Sequence, residues 1–156
     1  QHNCTSSDMN QTSICVLLAS SLLLCGAAPV DHGGSDAKCP LMVKILDAVK
    51  GAPAGSVALT VSRRGANGDW AQVASGKTDA SGEVHDLIAE QDFAAGVYRV
   101  EFDTKAYWKA EGRTPFHEVA DVVFDAHAGG HRHYTLALLL SPFSYTATAV
   151  VADAHK

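Results

Sequence analysis

Apolar and polar positions alternate with period two over most of this chain, and the clearest instance sets Tyr98, Val100 and Phe102 on one face against Arg99 and Glu101 on the other. That period marks a half-buried strand. Similar short runs recur at about 41–48, 57–63, 70–77, 96–103, 119–126, 133–141 and 144–152, separated by turn chemistry such as Asn67-Gly68, Ser81-Gly82 and Gly129-Gly130. Short strands at regular spacing predict an all-β, antiparallel sandwich. One segment departs from the pattern. After Asp103, an N-cap residue, Lys105 to Glu111 is built of helix formers and stops at Gly112, which predicts a single short helix. Its aromatic pair, Tyr107 and Trp108, reads as packing, given the area an aromatic ring buries.

Ahead of the strands the pattern is different. Ile14 to Cys25 is almost wholly apolar and is followed by Gly26, Ala27 and Ala28. The run is shorter than the roughly 20 residues needed to span a bilayer, and the small residues suit cleavage before Pro29, so 1–28 is expected to hold a secretory signal peptide. The usual positive n-region is missing. Met9 is expected to be the initiator, with Gln1 to Asp8 as upstream sequence. The segment 29–38, rich in Gly, Asp and Ser, cannot bury enough apolar surface to offset the entropy of ordering and is expected to be a disordered arm. The sandwich domain is then 39–152, with a short tail at 153–156. That is one domain and one core.

Composition narrows the partners. Of the charged residues only Asp8 falls in the leader, so the mature part carries 12 basic against 16 acidic groups, a formal charge of −4 with His neutral. No basic patch invites nucleic acid or an anionic membrane. Cys4, Cys15 and Cys25 leave with the leader, and Cys39 remains as a lone thiol. It is expected to be reactive: free, capped by a small thiol or paired between chains, in an extracellular setting.

The carboxy-terminal stretch carries the most information about function. Two strands, His133 to Ser141 and Ser144 to Val151, meet at a turn containing Pro142. Leu136, Leu138 and Leu140 form a bulky face that reads as core. Thr135, Ala137 and Leu139, with Thr146, Thr148 and Val150, form a face that is small and mildly polar. A strand nearly apolar on both faces has to bury both, so the second face needs a partner sheet or a ligand. Near the start of the domain Met42, Lys44 and Leu46 share a face, and a cation there interrupts an apolar stripe. Lys44 is either a solvent-facing lysine or a cation at the mouth of an apolar channel, placed to meet a ligand carboxylate.

Several motifs in this order, Cys39-Pro40-Leu41-Met42-Val43-Lys44, Asp103-Thr104-Lys105 with Tyr107-Trp108-Lys109, Pro115-Phe116-His117-Glu118 and the run from Leu139 through Val151, resemble the transthyretin family over essentially all of 39–151. The resemblance implies a homotetramer of eight-stranded sandwich subunits, secreted to plasma, with thyroid hormone (thyroxine or triiodothyronine) in a central channel and no cofactor. Carried over by position, Lys44 and Glu83 guard the mouth of that channel, Met42, Leu46, Thr135, Ala137 and Leu139 line it, and Thr146, Thr148 and Val150 lie deepest. The family commonly has Ser and Ala at the positions of Thr146 and Leu138. The resemblance also implies that Phe116 inserts into a neighbouring subunit, that Val49 and Phe143 join two dimers, and that strands near 119–126 and 144–152 pair across the dimer. Retinol-binding protein is a second implied partner, docking at Gly112, Arg113 and Phe143, although Arg113 replaces an apolar residue usual there.

An enzyme of the same fold, 5-hydroxyisourate hydrolase, is the rival reading. Its Tyr-Arg-Gly-Ser ending is replaced here by Thr148-Ala149-Val150-Val151, and its two histidines and an arginine would fall at Lys44, Thr135 and Glu83. General acid–base chemistry then lacks its agents. For a metal, the residues to consider are His117, Glu118, His127, His131 and His133, but solvated turn histidines are the simpler reading, and Val119 stands where relatives often have another histidine.

Overall fold

The structure, a computed structural model, describes residues 39–128 and 132–153. The leader, the arm, His131 and the Gly129-Gly130 turn lie outside the described residues, as does the tail beyond Asp153.

Alternation delivers what it predicts. The strands are β1 (Leu41–Asp47), β2 (Ala52–Pro53), β3 (Ala58–Arg64), β4 (Trp70–Lys77), β5 (Glu83–Val84), β6 (Gly96–Phe102), β7 (Ala120–Ala126), β8 (Arg132–Ser141) and β9 (Ser144–Asp153). They form two sheets. One runs β2-β1-β8-β9 with β5 also on β1, and the other runs β4-β3-β6-β7. The seven long strands and β5 make an eight-stranded sandwich, to which β2 adds a two-residue pairing. Neighbours are antiparallel except β1 and β8, which run parallel with Leu41 opposite Tyr134 and Asp47 opposite Leu140.

The two sheets bury their facing rows against each other. Leu41, Val43 and Ile45 of β1 and Leu136, Leu138 and Leu140 of β8 meet Val61, Tyr98, Val100 and Phe102 of the other sheet in one core. Each such side chain contributes roughly 1.5–3 kcal/mol by leaving water, so this face of the pattern dictates the fold. Four rings, Phe93, Tyr98, Phe124 and Tyr134, close one end of the core, with centroids 4.8–5.8 Å apart.

A single α-helix, α1 (Thr104–Ala110), follows β6. The Asp103 side chain accepts from the Ala106 amide at 3.1 Å and caps the amino end. At the other end the Gly112 amide donates to Lys109 O and the Arg113 amide to Trp108 O, with Gly112 at φ +71°, a paired closure that only a left-handed residue allows. Tyr107 and Trp108 are buried, which makes them packing residues. Strands β7 and β9 each have one sheet neighbour among the described residues, so each presents an open edge. Among the described residues no helix is long and apolar enough to cross a membrane.

Candidate functional site

In a sheet, residues paired across strands point to the same face, so the register of β1, β8 and β9 determines which side chains assemble. Met42 lies opposite Thr135, and Thr135 opposite Val150. Lys44 lies opposite Ala137, and Ala137 opposite Thr148. Leu46 lies opposite Leu139, and Leu139 opposite Thr146. Nine residues named from the sequence thus stand in three rows of three on one face of the sheet, while their sequence neighbours on β1 and β8 point into the core. The tenth, Glu83, joins the middle row because β5 pairs with β1 and sets Glu83 opposite Lys44. Sequence alternation gave the two faces; the parallel register between β1 and β8 aligns their rows.

This outer face is open in the single chain. Leu139 is 43% exposed and Val150 57%. Five of the nine side chains in these rows are apolar, and an exposed patch of this kind is a candidate surface for a ligand or a partner.

At the end of the middle row Lys44 Nζ donates to Glu83 Oε1 at 2.9 Å. The turn before β5 is what holds Glu83 there. Asp79 Oδ1 accepts from the Ser81 amide at 2.8 Å, the Ser81 hydroxyl at 2.6 Å and the Glu83 amide at 3.0 Å, and these bonds lower the Asp79 pKa, the Ser81 hydroxyl most. Gly82 sits at φ +75°, with its carbonyl accepting from the Ile45 amide at 2.8 Å. Its missing Cβ is required, because one built there would run into Ile45 O. Hydrogen bonding from Lys44, then from His85, lowers the pKa of the Glu83 carboxyl, so the pair carries opposite charges at neutral pH.

His85 is a neighbour that sequence reasoning missed. Its Nε2 lies 2.9 Å from Glu83 Oε2, so Glu83 spends one oxygen on a lysine and the other on an imidazole. The signal was available: in an extended segment residues two apart share a face, and Glu83-Val84-His85 is such a spacing.

The residues expected at subunit contacts are exposed apolar groups. Phe116 is 69% exposed and Phe143 68%, and their rings stack with centroids 6.1 Å apart. The Phe116 amide donates to Pro142 O at 2.8 Å, which fixes the pair at the β8–β9 turn. Val49 is also exposed, in the loop that follows β1.

Two further sets of candidate residues can be placed. Cys39, expected as a reactive thiol that is free, capped or paired between chains, is buried, and its Sγ lies 2.9 Å from Asp86 Oδ1, because the entry to β1 packs against the segment after β5. Burial reduces its access to capping reagents. The residues considered for a metal do not converge. His117 packs edge-on against Phe116 and Tyr145, Glu118 accepts from Lys105 at 2.7 Å, and the His127 amide donates to the Tyr134 hydroxyl. Among the described residues no three His, Cys, Asp or Glu side chains form a metal-binding group, and His131 lies outside them.

The described architecture is a two-sheet β-sandwich with one short helix and an open sheet face of small and apolar side chains, closed at one side by an ion pair. The chain belongs to the HIUase/transthyretin family, whose model matches residues 41–148. It is similar to the crystal structure of transthyretin from Sparus aurata, with 75% identity over 74% of this chain and 100% of that one, at a TM-score of 0.73. It is equally similar to sea bream transthyretin solved in complex with thyroxine, with 75% identity over 76% of this chain and 100% of that one, at a TM-score of 0.72.

Proposed function

We propose that this protein is a secreted carrier of thyroid hormone, thyroxine or triiodothyronine, that binds it in a channel formed where the outer faces of β1, β8 and β9 meet in a homotetramer. One observation carries the reading: the three aligned rows from Met42, Lys44 and Leu46 to Val150, Thr148 and Thr146, ending in the Lys44–Glu83 pair. Iodinated rings need apolar walls, which Leu46, Ala137, Leu139 and Val150 supply. A phenol deep in the channel needs hydroxyl partners, which Thr146 and Thr148 supply. The amino-acid end of the hormone needs an ammonium for its carboxylate and a carboxylate for its amine, the pair that Lys44 and Glu83 present at the mouth. The relative solved with thyroxine supports the same reading.

The tetramer is part of the proposal, because a face this apolar calls for a second copy. Exposed Phe116, Phe143 and Val49, and the open edges of β7 and β9, are the surfaces assigned to assembly. Retinol-binding protein is proposed to dock on the outer loops at Gly112, Arg113 and Phe143, with Arg113 the feature least suited to it. The hydrolase reading is disfavoured. The positions where that enzyme carries two histidines and an arginine hold Lys44, Thr135 and Glu83, and Lys44 and Glu83 are spent on each other.

Calorimetry with both hormones on protein starting at Pro29, with the oligomer mass recorded on the same sample, tests this. Binding at one or two sites per tetramer is the expected outcome. A tetramer that binds neither hormone, or one that turns over hydroxyisourate, overturns it.

A further inference from the structure

We infer that His85 is a positioning residue for Glu83, and that it decides how well the channel mouth accepts ligands that carry a carboxylate but no amine. The inference rests on the carrier reading and extends it to ligand selectivity.

In the ligand-free protein the Glu83 carboxylate is divided, with Oε1 on Lys44 Nζ and Oε2 on His85 Nε2, each at 2.9 Å. Glu83 is half-buried between them, and both contacts stabilise its charged form. Lys44 is the more exposed partner and the one free to swing toward an incoming carboxylate.

Two classes of ligand then make different demands. An amino acid such as thyroxine brings a carboxylate and an ammonium together. Its carboxylate takes Lys44, its ammonium takes the Oε1 that Lys44 releases, and every charge keeps a partner. A carboxylate without an amine also takes Lys44, but it returns nothing to Glu83 and sets two anions side by side at the mouth. Glu83 then depends on His85 alone. A half-buried carboxylate that loses its last donor is costly, because hydrogen bonds to charged groups are among the stronger ones. His85 therefore matters most when the ligand has no amine.

The test compares L-thyroxine with its deaminated propionic acid analogue by calorimetry, on the parent tetramer and on H85V, H85N and H85Q. Valine removes the donor, asparagine is too short to reach, and glutamine keeps an N–H donor within range of Glu83. For H85V and H85N the expected loss is about tenfold for the propionic acid analogue, the size of one lost charge-assisted bond, and under about threefold for thyroxine. H85Q restores most of the difference, and in E83Q the dependence on residue 85 disappears. Equal losses for both ligands, no loss for either, or an H85Q that behaves as H85V overturns the inference while leaving the carrier reading intact. A parent tetramer that binds neither ligand overturns both. Should H85V fail to assemble, H85N and H85Q carry the comparison.

Discussion

The hydroxyl of Tyr107 donates to Asp47 Oδ2 at 2.6 Å, and this contact ties the helix to the end of β1 across 60 residues of sequence. The other oxygen of Asp47 accepts from the amides of Val49 at 2.8 Å and Lys50 at 2.9 Å, so one carboxylate also shapes the loop that presents Val49. Asp47 is 1% exposed, and a carboxylate so buried is tolerable only because both oxygens are satisfied. Tyr107→Phe leaves Oδ2 without this donor while keeping the ring in place. The variant is expected to lose about 1–3 kcal/mol of stability, read as a lower urea midpoint at unchanged slope. An unchanged midpoint would show that the bond contributes nothing.

The same carboxylate gives a pH dependence with a definite sign. Burial pushes the Asp47 carboxyl up, but the Tyr107 hydroxyl and then the Lys50 and Val49 amides outweigh it and hold the group below its ordinary value. A folded value below the unfolded one, about 3.9, means that the stabilisation is present above that pH and is lost as pH falls through the lower folded value. Asp47→Asn is therefore expected to lower stability at pH 7 yet to flatten its decline in acid. Urea midpoints collected from pH 7 down to 3 check this, and parallel curves for parent and variant would contradict it.

Gly82 and Gly112 share nearly the same backbone, φ +75° and +71°, but not the same surroundings. A Cβ on Gly112 would meet nothing within 4 Å, whereas one on Gly82 would strike Ile45 O beside the residue that carries the ion pair. Gly112→Ala is expected to cost only the left-handed backbone, about 1–2 kcal/mol, with hormone affinity unchanged. Gly82→Ala should cost more and should also weaken hormone binding, because displacing the turn displaces Glu83. Equal effects of the two substitutions on stability and binding would refute the difference.

Much of this arrangement was legible in the sequence, and the part that was not has a physical reason. Side chains in a strand alternate, so Thr135, Ala137 and Leu139 could be separated from Leu136, Leu138 and Leu140 by counting alone. Lys44 stood out as a cation in an apolar stripe, and Asp103 and Gly112 marked the ends of the helix. Alternation carries no information about which strands are neighbours. The parallel pairing of β1 with β8, which aligns Met42 with Thr135, joins segments about ninety residues apart and leaves no local trace. Strands β2 and β5 are two residues each, too short to show a period. The partnership of Asp47 with Tyr107 and that of Cys39 with Asp86 are likewise products of tertiary packing. Strand β4 was found even though its residues are all exposed or half-exposed, because the turn signals at Asn67-Gly68 and Ser81-Gly82 bracket it.

Within the proposed channel, charge and volume can be tested separately. Lys44→Ala removes the ammonium at the mouth and is expected to weaken thyroxine binding about tenfold or more, as loss of a charge-assisted contact should. Thr148→Phe instead fills the middle row opposite Ala137, and it should abolish binding while the oligomer mass stays that of the parent. Calorimetry and sedimentation on both variants read these outcomes. Parental affinity in both would place the hormone elsewhere.

Assembly and the channel share residues, so separating the subunits should remove the site as well. Leu139 projects from the open face between Leu46 and Thr146, and a proposed partner sheet would bury it; a glutamate there would bring an unpaired charge into that interface. Phe116 stands exposed on the other side of the β8–β9 turn, stacked on Phe143, and Phe116→Met removes the rigid ring expected to enter a neighbour. Neither position belongs to the core that joins the two sheets, so the fold itself should survive both changes. The double variant Phe116→Met with Leu139→Glu is expected to sediment as a folded monomer that binds no thyroid hormone, with strand content by circular dichroism unchanged. A double variant that remains a tetramer would show that the subunits meet through other surfaces, and the aligned rows of β1, β8 and β9 would then lose their proposed cover.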